Sequence, residues 1–373
     1  MQWVAFIGIY GLTFLTVLIS ALPSLLAEVD ISRRRKNVYL LGDCLLLLVV
    51  FAVGFIRLQA PAQEPIADSS IRIVQPNNDQ HDKWKSETRF THVQRLKKFS
   101  QQDGKPHRLL IWPETAVPFF ITTDDRIRGY LQQIVPKEGA IITGAPRKDP
   151  NARRYWNSVQ AFDATGTILG IYDKRHLLPY GEYLPLRPFL KASGIAALIP
   201  ALDAMSDFSF PDPGSKNVMS VLDLPPFRTL ICYEVTFPWE VRGDNHFEWI
   251  LNVTNDAWFG NTSGPYQHFV ISKTRAIEQG VSLIRSANKG ISAIVDGYGR
   301  IQQHLPPTEE GVLDGMIPSD AQEFPMEYPV TTEIPLSDPR YNEMLSTFYE
   351  DCTKHLHDLA MKGEDVVVLC EGD

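Results

Sequence analysis

Thr229-Leu230-Ile231-Cys232-Tyr233-Glu234 runs from a short apolar strand pattern straight into a thiol and a carboxylate. Two other stretches share this design. Leu109-Leu110-Ile111-Trp112-Pro113-Glu114 ends on a carboxylate, and Ile250-Leu251-Asn252-Val253-Thr254-Asn255-Asp256 ends on a polar cluster. Apolar runs of this length read as buried strands. In α/β proteins, side chains at strand ends converge on a crevice, so residues distant in sequence meet there.

The rest of the middle region fits the same architecture. Strands are expected at 71–75, 108–112, 140–143, 158–162, 168–172, 227–233, 249–253, 281–285 and 291–295, with helices at 88–101, 124–134 and 264–279. Turn chemistry separates several of them, as at Thr165-Gly166 and Asp296-Gly297-Tyr298-Gly299. Strands alternating with helices indicate a layered α/β domain over residues 71–318.

Ahead of this domain stand two apolar runs, Trp3–Ala27 and Val38–Leu58. Each is long enough to cross a bilayer core, which takes about 20 residues. Arg33-Arg34-Arg35-Lys36 lies between them, and positive charge marks the cytoplasmic side. Residues 1–60 therefore read as a transmembrane hairpin. Residues 61–70, with Pro61 and Pro65, read as a linker, and everything beyond as extracytoplasmic. The net charge of −8 is concentrated in residues 321–373, where twelve Asp/Glu face three basic residues. No basic stripe points to nucleic acid. The four cysteines show no paired spacing, and His355 and His357 read as solvated, so neither a disulfide framework nor a metal site is expected.

A cysteine ending an apolar strand is either a small core residue or a nucleophile. Its company favours the second. Glu114 ends another strand, and Lys174 follows a third in Tyr172-Asp173-Lys174-Arg175-His176. A thiol must become a thiolate to attack a carbonyl. A carboxylate can take its proton and an ammonium can stabilise the resulting oxyanion. Glu182, eight residues beyond Lys174, is placed to hold that lysine or the incoming group.

Trp112-Pro113-Glu114, the run from Tyr172 to Tyr183, and Cys232-Tyr233-Glu234 resemble the Glu–Lys–Cys set of the nitrilase superfamily. With Asn255-Asp256-Ala257-Trp258-Phe259-Gly260 and Gln267-His268, the pattern is similar to its apolipoprotein N-acyltransferase branch over about residues 1–318. The resemblance implies a four-layer αββα sandwich on the periplasmic side of a bacterial inner membrane. It implies acyl transfer from a phospholipid to the N-terminal amine of a diacylglyceryl-cysteine lipoprotein, with no cofactor. Glu114 would be the base, Lys174 the oxyanion partner and Cys232 the nucleophile. Glu182, Tyr233 and Glu234 would support them. Trp84 and Trp258 would meet substrate, while Asn255, Arg285 and Asn288 fall in family-like sequence and read as structural support. The alternatives are an amidohydrolase of the same superfamily and an inactive fragment.

Two departures accompany the resemblance. The family carries further membrane helices before the catalytic domain and one after it, which this sequence does not display. From about residue 325, Glu327–Thr332, Asp338–Tyr341, Phe348–Asp351 and Val366–Asp373 resemble a piece of the precorrin-2 C20-methyltransferase family. That piece stops at Glu371-Gly372-Asp373, too short to form a cofactor pocket, so no methyltransferase activity is expected. A fused or rearranged reading frame accounts for it most simply.

Overall fold

The computed structural model describes residues 1–79, 85, 87–102, 106–184, 207–212, 215–242 and 245–321. Trp84 and the acidic tail from 322 onward, with its methyltransferase-like segments, lie outside the described residues.

Two helices come first, α1 (Val4–Ala21) and α2 (Arg33–Leu58). With the 3-10 turn that follows α1, the first spans 23 residues and the second 26, and both are long and apolar enough to cross a membrane. They suggest a membrane protein. Gly8 breaks α1 at φ +64 and ψ 179, a conformation essentially confined to glycine. The break frees the Ile9 N–H to donate to Glu278 Oε1 at 2.7 Å, which seats α1 on the catalytic domain.

The domain contains β1 (Pro65–Gln75), α3 (Arg89–Ser100), β2 (Leu109–Ile111), α4 (Asp125–Gln132), β3 (Ala140–Lys148), β4 (Tyr155–Asp163) and β5 (Ile168–Asp173). After these come β6 (Val218–Met219), β7 (Phe227–Ile231), α5 (Pro238–Arg242), β8 (Trp249–Thr254) and α6 (Gly264–Gln279). The last strands are β9 (Ser282–Ala287), β10 (Ser292–Val295), β11 (Ile301–Leu305) and β12 (Gly311–Pro318). Two six-stranded sheets result, ordered β12-β1-β2-β3-β4-β5 and β11-β10-β9-β8-β7-β6. Each has a parallel core, β1-β2-β3 in one and β7-β8-β9 in the other, with antiparallel strands outside it.

Alternation along the strands builds the layers. Leu109, Ile111, Ile142, Ile231, Leu251 and Ile284 share one buried cluster between the sheets. Leu110 and Ile141 instead join Val93 and Leu96 of α3 and Leu131 of α4. Leu230, Ile250 and Leu283 pack with Phe269 and Ala276 of α6. Successive strand residues face opposite ways, so a parallel strand buried on both faces needs an unbroken apolar run. Each such side chain taken out of water stabilises the fold by about 1.5–3 kcal/mol. The arrangement is the expected αββα sandwich.

The structure differs from the expected elements in three places. The stretch read as a linker is fastened down. Pro61 O accepts from Arg300 at 2.9 Å, and β1 begins at Pro65 to pair with β12. The strand expected over 227–233 ends at Ile231, because Cys232 takes φ +53 and starts a 3-10 turn, Cys232–Thr236. The strands β6, β11 and β12 were absent from the sequence-based set.

Candidate active site

The sandwich carries the three expected residues to strand ends. Lys174 directly follows β5 and Cys232 directly follows β7, while Glu114 stands just beyond β2. Glu114 lies in a turn pressed against β3, where Gly144 N donates to Pro113 O at 3.1 Å and Val117 N to Gly144 O at 3.1 Å. A Cβ at position 144 would fall 2.6 Å from Glu114 Cα, so only glycine allows this approach.

All three are buried, with Glu114 8%, Lys174 1% and Cys232 6% exposed. Lys174 Nζ is 2.8 Å from Glu182 Oε2. Asn157 Nδ2 lies 2.9 Å from both Glu114 Oε1 and Glu182 Oε1, and Asn157 O accepts from Lys174 N at 2.8 Å. One carboxamide thus ties both carboxylates to the lysine backbone. Asn157 was not among the expected site residues. It sits one position before the strand start read from sequence, in Asn157-Ser158-Val159-Gln160-Ala161-Phe162, where alternating polar and apolar residues mark a strand but no site.

Electrostatics follow from this crowding. Burial pulls the Lys174 ammonium down, but Glu182, Glu114, Cys232 and Glu234 outweigh it and hold its pKa above the ordinary lysine value. Lys174 therefore stays charged at neutral pH. Burial, then the neighbouring Glu114, push the Cys232 thiol up to about 12, against the pull of Lys174. The surroundings of Cys232 therefore favour the protonated thiol over the thiolate.

Glu234 is fully buried and works between the two segments. Its carboxylate accepts from Tyr172 OH at 2.9 Å, Arg175 N at 2.7 Å and His176 N at 3.0 Å, all flanking Lys174. It also accepts from Ile231 N at 2.7 Å, next to Cys232. One side chain thus binds the lysine segment to the cysteine turn. Tyr233 points elsewhere. It is 37% exposed and packs edge-on against Phe237, ring centroids 5.8 Å apart. Trp258, on the turn Asp256–Phe259, is exposed. Arg285 is buried in an ion pair with Asp256, Nη2 to Oδ2 at 2.8 Å, and Asn288 Nδ2 donates to Asn255 Oδ1 at 3.0 Å.

Residues 70–326 match the carbon-nitrogen hydrolase family. The chain is 36% identical over 331 residues to the apolipoprotein N-acyltransferase of Rhodopseudomonas palustris, covering 85% of this chain and 61% of that protein. It is 38% identical over 326 residues to the protein of the same name from Agrobacterium fabrum, covering 85% and 60% respectively. The chain thus spans about three-fifths of the length of these relatives. Among solved structures, the carbon-nitrogen hydrolase superfamily protein XC1258 of Xanthomonas campestris aligns with 68% of this chain and 91% of its own, at 17% identity and a TM-score of 0.46. The matched segment takes in Glu114, Lys174 and Cys232 alike, and the chain belongs to the carbon-nitrogen hydrolase family.

Proposed function

We propose that this chain is a membrane-anchored N-acyltransferase that moves a fatty acyl group from a phospholipid to the N-terminal amine of an S-diacylglyceryl-cysteine lipoprotein, with its catalytic domain in the periplasm. The observation that carries the reading is Lys174, buried and charged among Glu114, Glu182 and Cys232. Similarity to relatives named apolipoprotein N-acyltransferase supports the choice of substrates.

In the first step Cys232 Sγ attacks the ester carbonyl of the phospholipid while Glu114 takes the thiol proton. The carbonyl oxygen becomes an oxyanion beside the Lys174 ammonium, in surroundings where such stabilisation is far stronger than in water. Collapse breaks the ester C–O bond, and Glu114 returns the proton to the departing lysophospholipid oxygen. A thioester remains on Cys232. In the second step the lipoprotein amine attacks that thioester, Glu114 takes a proton from nitrogen, and Cys232 leaves and is reprotonated. Glu182 and Glu234 position Lys174. The aromatic side chains of Tyr233 and Trp258 supply an apolar surface for the acyl chain, and Trp84 belongs to the same substrate-binding reading.

Membership of a hydrolase family favours a second reading, in which water accepts the acyl group. The two part on one assay. The detergent-solubilised chain is incubated with phospholipid and a synthetic diacylated lipopeptide. Triacylated peptide, absent with Cys232→Ala, is the expected product. Free fatty acid without acylated peptide would support the hydrolase, and no turnover of either kind would mark an inactive fragment.

A further inference from the structure

Strands β7 and β8 run parallel, with Ile231 paired to Val253. Cys232 turns away directly after Ile231, Thr254 closes β8 directly after Val253, and the Thr254 side chain hydrogen-bonds that of Cys232. Thr254 is fully buried, and its Oγ1 donates to Asp256 Oδ1 at 2.9 Å. Asp256 is held from two further directions, by His268 Nδ1 at 2.8 Å from Oδ1 and by Arg285 Nη2 at 2.8 Å from Oδ2. Arg285 also donates to Ser272 Oγ at 2.7 Å and to Asn252 Oδ1. Asn252 Nδ2 in turn reaches Leu230 O at 3.1 Å and Cys232 O at 3.4 Å. A single buried ion pair thus fixes a carboxamide on the Cys232 carbonyl and a hydroxyl next to its side chain.

None of these groups takes part in the steps above. The Asp256 carboxylate already has a partner on each oxygen without Thr254, so its neutralisation does not require the hydroxyl. A hydroxyl offers one proton and two lone pairs. While it donates to Asp256 it can accept the S–H of the resting thiol. Once that proton has gone to Glu114, it can turn and donate to the sulfur, leaving Asp256 to His268 and Arg285. The thiol is pushed up by burial, by Glu114 and, less strongly, by the Asp256 carboxylate, while Lys174 and the Thr254 hydroxyl draw it back down.

We propose that Thr254 is a further catalytic residue, its hydroxyl aligned by Asp256, His268 and Arg285 to hydrogen-bond the Cys232 sulfur and stabilise the attacking thiolate. The proposal rests on the reading of Cys232 as the nucleophile.

Iodoacetamide alkylation of the full chain in detergent tests it, followed by mass spectrometry of the Cys232 peptide so that the other cysteines do not intrude. Below the thiol pKa, the rate tracks the thiolate fraction. Losing one hydrogen bond to a charged sulfur is expected to slow alkylation about tenfold at constant pH, a displacement of about one pH unit. Thr254→Val shows that loss, and Thr254→Ser stays within about twofold of wild type because it keeps the hydroxyl. Thr254→Ala gives the same reading where valine disturbs the packing. Equal rates in wild type, Val and Ala would overturn the proposal, as would equal slowing in Ser and Val. The acyl-carrier reading fails on a different result, wild-type Cys232 that alkylates normally but takes no acyl group from phospholipid.

Discussion

Lys174 Nζ lies 2.8 Å from Glu182 Oε2, and both side chains are withdrawn from water. Taking one partner from a buried ion pair leaves an uncompensated charge, at a cost of about 3–5 kcal/mol. Part of that penalty is relieved here, because Glu114 remains near Lys174. Glu182→Ala is expected to destabilise the domain by about 3 kcal/mol in urea unfolding. Glu182→Gln, which keeps the shape, falls between it and wild type.

Glu114 has two opposed effects on Cys232. As a neighbouring negative charge it raises the thiol pKa, and as the proposed base it would remove the thiol proton in the reaction. Glu114→Gln is therefore expected to accelerate alkylation of Cys232 at pH 8–9 while slowing acylation by phospholipid at least about 100-fold, the usual scale of general-base catalysis. The sign for pH is fixed by the raised thiol value of about 12. Burying this thiol in its protonated form contributes stability that is complete below the unfolded cysteine pKa and is lost as pH climbs through about 12. Alkylation of wild type should thus keep rising across the alkaline range, with no plateau near pH 9. A plateau there would show a thiol of ordinary acidity.

The left-handed backbone of Cys232, φ +53, gives an unusual ordering of variants. A residue bearing Cβ is strained there by about 1–2 kcal/mol, and glycine is not. Cys232→Gly is expected to be about 1 kcal/mol more stable than Cys232→Ala, although glycine ordinarily loses this comparison. Chemical denaturation of the two inactive variants measures the difference. Alanine proving the more stable would mean that Cys232 lacks this conformation.

Gly144 sets the position of Glu114, the proposed base. A methyl group there meets Glu114 Cα at 2.6 Å and Thr115 N at 2.3 Å, both backbone atoms that can yield only by moving the turn. Gly144→Ala is expected to cut the acylation rate about 100-fold through displacement of Glu114. Alkylation of Cys232 by iodoacetamide should persist in the same variant.

Much of this was legible before any coordinates. The parallel strands β2, β7, β8 and β9 each carry a short apolar run, Leu109–Ile111, Leu230-Ile231, Trp249–Leu251 and Leu283-Ile284, because both faces are buried, and such runs are visible in a single sequence. Helix α6 was read with its observed limits because Pro265 marks its first turn and Gly280, at φ +66, its end. Strand β11 was missed because Ile301–His304 are exposed and mostly polar. Strand β12 was missed because Gly311 and Gly315 interrupt it and its partner β1 lies far away in sequence. Glu114, Lys174 and Cys232 stood out because three reactive side chains follow apolar strands in one domain, and Glu182 because it lies eight residues beyond Lys174. Thr254, Asn157 and Asn252 did not, since a threonine or asparagine in a strand carries no chemistry until its neighbours are known. The turn at Cys232 was equally hidden, as nothing in Ile231-Cys232-Tyr233 requires a positive φ.

Mass spectrometry of the Cys232 peptide, after brief incubation of the detergent-solubilised chain with phospholipid and no acceptor, bears most directly on the shared pocket of sulfur, carboxylate and ammonium. One fatty acyl group on Cys232, released by hydroxylamine and missing in Glu114→Gln and Lys174→Met, is the expected result. A folded chain whose Cys232 stays unmodified, or acylates equally well without Glu114 and Lys174, would contradict it.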